Sequence, residues 1–273
     1  YPPPHILPLS RSERYSVVSK LIPERRSALA KRARPMKKHM AIEAMDQMLE
    51  PIAGQLAVAV EIEASMEVLN EEVHARQRPA IYGAEAFRVI QQAYVSELAL
   101  ALAKLYETPV PRNGATKAQA FNKTDLASIP LLLRLLQQDR CKAVLCDRNR
   151  SWDRDGTEVQ RLIDDASRIW CRMRRSSAIR DALTRVTDYR HFAVHLLRRG
   201  PPARLPTYRE VFVLVDNAVA IMRLIQPAMT GTNRNLSVFE ELWRDEARDF
   251  WSRALPATII PDDDPNPPPR GLS

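Results

Sequence analysis

The chain has 273 residues, 45% of them hydrophobic and 6% aromatic, with a formal net charge of +8. That length can bury the core of one large domain or two small ones, while only 7 glycines argue against a glycine-rich phosphate loop. Cys141, Cys146 and Cys171 show no CxxC spacing, which argues against a disulfide framework or zinc ribbon and for a reducing, cytoplasmic setting.

Residues 1–36 read as a loose leader, partly disordered, because Pro2 to Pro4, Pro8, Pro23 and Pro35 interrupt any long helix. The first 40 residues hold ten Lys/Arg against two Asp/Glu, so the whole basic excess sits in this arm. Such an arm is either a solvated extension or a source of non-specific attraction to nucleic acid. It lacks the apolar core of a signal peptide and does not begin with Met, so a fragment or processed product is expected. No apolar run approaches the ~20 residues of a membrane span, and no membrane association is expected.

From 37 to 255 the pattern is that of a single helical domain. A helix is predicted from Lys37 to about Arg76, interrupted at Pro51, with Leu56, Val60, Met66 and Leu69 at helical spacing. A second runs from Ala84 to Glu107, with Phe87, Ile90, Ala93, Leu98, Leu102 and Leu105 on its stripe. After a loop from Thr108 to Lys123, Thr124 or Ser128 can cap a helix that carries Pro130 in its first turn and continues to about Cys146. Asp147 to Gly156 reads as a polar loop, and Thr157 as the cap of a helix to Arg175 with Leu162, Ala166, Ile169 and Met173 on one face.

Ser176 or Ser177 caps the next helix, about Ala178 to Leu197, which Gly200-Pro201-Pro202 stops. Thr207 caps Tyr208 to Met229, and Ser237 to Ala254 is a last amphipathic helix with Phe239, Leu242, Trp243 and Trp251. Residues 256–273 form a Pro- and Asp-rich tail expected to be disordered. The class is all-α, a bundle of six or seven helices.

The chemistry concentrates in Arg190-His191-Phe192-Ala193-Val194-His195. From Arg168 to Arg199 there are nine Arg, no Lys and two acids. The chain has 33 Arg and 8 Lys, so a coding bias accounts for the missing Lys but not for the scarcity of acids. Arginine forks match phosphate oxygens two at a time. Arg180, Arg185, Arg198 and Arg199 are therefore candidate RNA contacts. Metal-free RNA cleavage needs a proton carrier, which histidine supplies, and a fixed cation for the extra charge on phosphorus, which arginine supplies. Arg190, His195 and His191 are the candidate catalytic residues. At about 100° per residue, Arg190 and His195 lie ~140° apart around a helix, so two copies facing across a two-fold axis make a better site than one.

Arginine, a polar residue, three residues and histidine, late in a helical bundle, resembles the HEPN superfamily. The segments SSAIRDALTRVTDYRHFAVHLL, PTYREVFVLVDNAVAIMRLI and LWRDEARDFW look like its abortive-infection U-type branch, over roughly residues 40–255. That resemblance implies a four-helix core, a homodimer, and RNA cleavage in phage defence or a toxin–antitoxin system, with an antitoxin or other defence protein as a possible partner. It makes Arg190 and His195 the catalytic pair and His191 the polar residue after the arginine. Some such toxins carry a Tyr two residues beyond the histidine, which a partner modifies. Here that position is Leu197, so control by that route is not expected.

Other chemistries fit less well, and no metal or cofactor is expected. His191-Phe-Ala-Val-His195 has zincin spacing, but Phe192 stands where a catalytic Glu is needed. Glu71-Glu-Val-His74 and Asp188-Tyr-Arg-His191 are carboxylate-x-x-His pairs of the di-iron kind, with Glu61, Glu63 and Glu97 available, each as easily a solvated position. No GxSxG occurs. The alternative to an enzyme is a non-catalytic helical module that binds a nucleotide, RNA or protein in the same groove.

Overall fold

The computed structural model describes residues 37–75, 84–108, 126–152, 155–194, 204–232 and 236–254, all within the compact unit Pro35–Ser273. The expected leader 1–36 and tail 256–273 lie outside the described residues. Among the described residues there are eight α-helices and no strand: α1 (Lys38–Ala75), α2 (Ala84–Leu105), α3 (Ile129–Leu136), α4 (Asp139–Arg150), α5 (Gly156–Arg175), α6 (Ser177–Val194), α7 (Tyr208–Thr230) and α8 (Leu236–Ala254).

The eighth helix arises from a break that the sequence does not advertise. The segment expected as one helix to Cys146 divides at Gln137–Gln138. Gln138 is extended at φ −75°, ψ 123°, and its side chain accepts from Arg140 Nε at 3.0 Å. Beyond the break, α4 runs on through Arg150, where a polar loop was expected. Asn149 explains the extension: its amide is buried and donates to the Leu145 carbonyl at 3.0 Å and the Ala228 carbonyl at 2.9 Å. A polar side chain that joins two buried carbonyls stabilises the last helical turn better than solvent exposure would.

Two other boundaries differ from expectation. α1 passes through Pro51 without interruption. An interior Pro costs about 3 kcal/mol, but Met45, Met48, Ile52 and Leu56 are buried on both sides of it, at roughly 1.5–3 kcal/mol each. The cap of α5 is Asp155, whose carboxylate accepts from Thr157 N at 2.8 Å and Thr157 Oγ1 at 2.5 Å. These two hydrogen bonds hold the exposed carboxyl below its usual range. Ser128 occupies the N-cap position of α3, although its buried hydroxyl makes no capping hydrogen bond, and Pro130 sits in the first turn as expected.

The central helix is α7. It packs against α5, α1, α2 and α6, and buries Val211, Leu214, Val215, Ala218, Ile221, Met222 and Ile225. By length and composition it could cross a membrane, an exception to the reading of the sequence, yet most of its apolar surface is inside this bundle. α1 lies along α8 and α2. Burial departs from the expected stripes at a few positions. Ile90 on α2 and Phe239 and Leu242 on α8 are exposed, whereas Leu98, Leu102, Leu105 and Trp251 are buried.

Candidate functional site

α6 carries the motif. Its inner face buries Ala182 and Val186 and half-buries Ile179, Leu183, Tyr189 and Arg190 against α2, α5 and α7. Its outer face exposes Arg180, Thr184, Thr187, Asp188 and His191 at three- and four-residue spacing. Thr184 and Thr187 turn their hydroxyls back to the carbonyls of Arg180 and Leu183, at 2.9 and 2.8 Å, which keeps both side chains on the helix. The start of α6 is capped by Ser176, whose Oγ accepts from Ile179 N at 3.4 Å.

Arg190 and His191, adjacent in sequence, face different surroundings. Arg190 is half-buried, and its Nη1 lies 2.9 Å from Glu107 Oε2. His191 is exposed in the last turn of α6. Tyr189 shares a hydrogen bond with Ser96 of α2 at 2.5 Å and packs tilted against Phe192, ring centroids 6.5 Å apart. Two successive residues of the motif helix are thus tethered to α2 or to the residues that end it. His195, Arg198 and Arg199 lie outside the described residues.

Two more candidate arginines divide in the same way. Arg180 is exposed. Arg185 is engaged with Glu210 of α7 through its Nε at 3.0 Å and its Nη2. Burial of Glu210 opposes its ionisation, but the Thr207 N–H and the Arg185 guanidinium outweigh it, so its carboxyl sits below the usual range. Basic side chains continue onto the end of α5, where Arg174 and Arg175 are exposed.

Sequence reasoning missed Glu107, Ser96 and Tyr106. Tyr106 is buried, stacks on Trp170 at 6.0 Å with an interplanar angle of 9°, and donates to the Leu214 carbonyl at 2.7 Å. Burial first, and the charge of Asp216 second, push its hydroxyl well above the ordinary tyrosine range. One signal for Glu107 was present: a carboxylate just beyond a helix C-terminus is disfavoured by the helix dipole and calls for a cation.

Among the described side chains the carboxylate–histidine pairs do not converge. Glu61, Glu71, Glu97, Asp188 and His191 are exposed, Glu63 is buried within α1, and the His74 side chain lies outside the described residues. Among the described residues no three His, Cys, Asp or Glu side chains cluster as metal ligands.

The model of the AbiU2 family, of HEPN type, matches residues 42–250. No curated protein and no solved structure matches the chain.

Proposed function

The chain belongs to the AbiU2 family of HEPN abortive-infection proteins, and on that premise we propose that it is a metal-independent endoribonuclease of a bacterial phage-defence or toxin–antitoxin system. The substrate is RNA. A 2′-hydroxyl attacks the adjacent phosphorus, the 2′-oxygen–phosphorus bond forms and the bond to the 5′-oxygen breaks. One histidine takes the 2′ proton and another group protonates the leaving 5′-oxygen. The products are a 2′,3′-cyclic phosphate and a 5′-hydroxyl end. Arg190 neutralises the charge that builds on the phosphorane oxygens.

The observation that carries this reading is the placement of Arg190 and His191 on the last turns of α6. The guanidinium is fixed at the helix surface while the imidazole beside it is open to solvent. In a single copy the two point in directions about 100° apart. A homodimer that pairs two α6 helices across one groove supplies both residue types to a single phosphate, with His195, the residue after Val194 in the sequence, as the second proton carrier.

Incubation of the purified chain with labelled total RNA in EDTA, beside Arg190→Ala/His195→Ala, tests the reading. Cleavage by the parent alone, leaving cyclic-phosphate ends, is expected. Intact RNA with both proteins, together with RNA or nucleotide binding by the parent, would instead favour a non-catalytic binding module.

A further inference from the structure

We propose that Glu107 is a positioning residue for Arg190: it holds the guanidinium from one side and leaves the remaining donors to a phosphate. The inference rests on the ribonuclease reading above.

The contact between the two is an ion pair. Arg190 Nη1 meets Glu107 Oε2 at 2.9 Å, with both side chains about one-third exposed. A guanidinium has five N–H donors in a planar fork, so an ion pair to one carboxylate restrains the group and leaves donors for a second anion.

Both ends of the contact are anchored independently. Glu107 follows directly on Tyr106, whose ring is fixed against Trp170 of α5 and whose hydroxyl is tied to the Leu214 carbonyl of α7. The Glu107 N–H donates to the Lys104 carbonyl at 3.3 Å. On the other side, Tyr189 ties the turn that bears Arg190 to Ser96. The carboxylate also sits where the dipole of α2 is least favourable to it. Its position is therefore better accounted for by the cation it faces than by the stability of its own helix.

The effect to measure is catalytic coupling. The parent, Arg190→Ala, Glu107→Ala, Glu107→Gln and the Glu107→Ala/Arg190→Ala double variant are compared in steady-state RNA cleavage, with thermal unfolding of each. A guanidinium that loses its orienting partner loses transition-state stabilisation more than ground-state binding. Glu107→Ala is expected to lower kcat by roughly 10-fold or more with a smaller change in KM. Glu107→Gln, which keeps an acceptor oxygen, is expected to fall between Glu107→Ala and the parent. The double variant is expected to be no slower than Arg190→Ala, because a residue acting through Arg190 has nothing left to act on.

Cleavage by Glu107→Ala at or above the parent rate overturns the inference, as do losses that multiply in the double variant. No cleavage by the parent overturns the ribonuclease reading and this inference together, whereas an active parent with an unaffected Glu107→Ala overturns only the latter. If Glu107→Ala fails to fold, Glu107→Gln alone and combined with Arg190→Ala decides by the same comparison.

Discussion

One oxygen of Glu210 accepts from the Thr207 backbone N–H at 2.9 Å and from Arg185 Nε at 3.0 Å, while its other oxygen meets Arg185 Nη2. A single carboxylate thus closes the N-terminus of α7 and ties that helix to α6. Removing it as Glu210→Ala leaves a half-buried guanidinium and an open helix end. The expected loss is about 1–3 kcal/mol, from the cap and the charge-assisted hydrogen bonds combined. Urea unfolding of parent and variant measures it, and a loss below a few tenths would show the pair to be incidental.

The same carboxylate sets a pH dependence. Its folded pKa lies below the ordinary glutamate value of 4.5. A carboxyl depressed by folding contributes stability that is complete above its unfolded pKa and declines as pH falls through the folded one. Parent stability should therefore drop below about pH 4.5 more steeply than that of Glu210→Gln. Melting temperatures of both proteins across roughly pH 3–6 would show the two curves converging toward acid. Parallel curves would mean that Glu210 is not the group responsible.

Gly231 ends α7 in the left-handed region at φ +70°, and Trp152 lies over it. A Cβ there would stand 2.6 Å from Trp152 Cε3 and 2.9 Å from Cζ3. Gly231→Ala should cost about 1 kcal/mol for the backbone, and more for displacing the indole. Adding Trp152→Ala should recover the steric part and leave the backbone part, giving a sub-additive double variant. Strict additivity in chemical denaturation would refute the contact.

Much of this bundle was readable from the chain because helix ends obey local chemistry. Pro130, Ser176 and Thr207 stand where the caps and first turns are. The sequence failed where a distant partner decides the outcome. Asn149 looks like a loop residue until Ala228, 79 positions away, offers its carbonyl. Pro51 looks like a stop until the buried residues on both sides of it are seen. The Gln137–Gln138 break carries neither Gly nor Pro. The candidate site divides in the same manner. Arg190 and His191 were visible as a short local motif. Glu107 lies far from Arg190 in the chain, and only the fold brings them together.

Asn149 gives that lesson a measurable form. Its amide is 1% exposed and donates to two carbonyls from different helices. Asn149→Leu leaves both carbonyls without this donor in a buried place, so destabilisation of about 2–4 kcal/mol is expected. The last turn of α4 should loosen first, and faster amide exchange at residues 147–150 than elsewhere in the helix would report it. Retained protection there would mean that Arg148–Asp46 and Arg150–Asp147 suffice to hold the turn.

The two candidate RNA contacts within α6 make opposite predictions because of what they already touch. Arg185 has a carboxylate on its fork, whereas Arg180 stands exposed on the outer face with Thr184 and His191. On the ribonuclease reading, Arg180→Ala should weaken RNA binding nearly uniformly across sequences. It should also reduce the slope of log K against log salt by about 0.7, the value for one single-strand phosphate contact. Arg185→Ala should instead lower the melting temperature, with little change in that slope, because its charge is already balanced by Glu210. Binding to labelled RNA at several salt concentrations, paired with thermal unfolding, separates the two. A reduced slope with Arg185→Ala and none with Arg180→Ala would mean that phosphate displaces Glu210 on binding, and would move the RNA path from the outer face of α6 toward the α6–α7 seam.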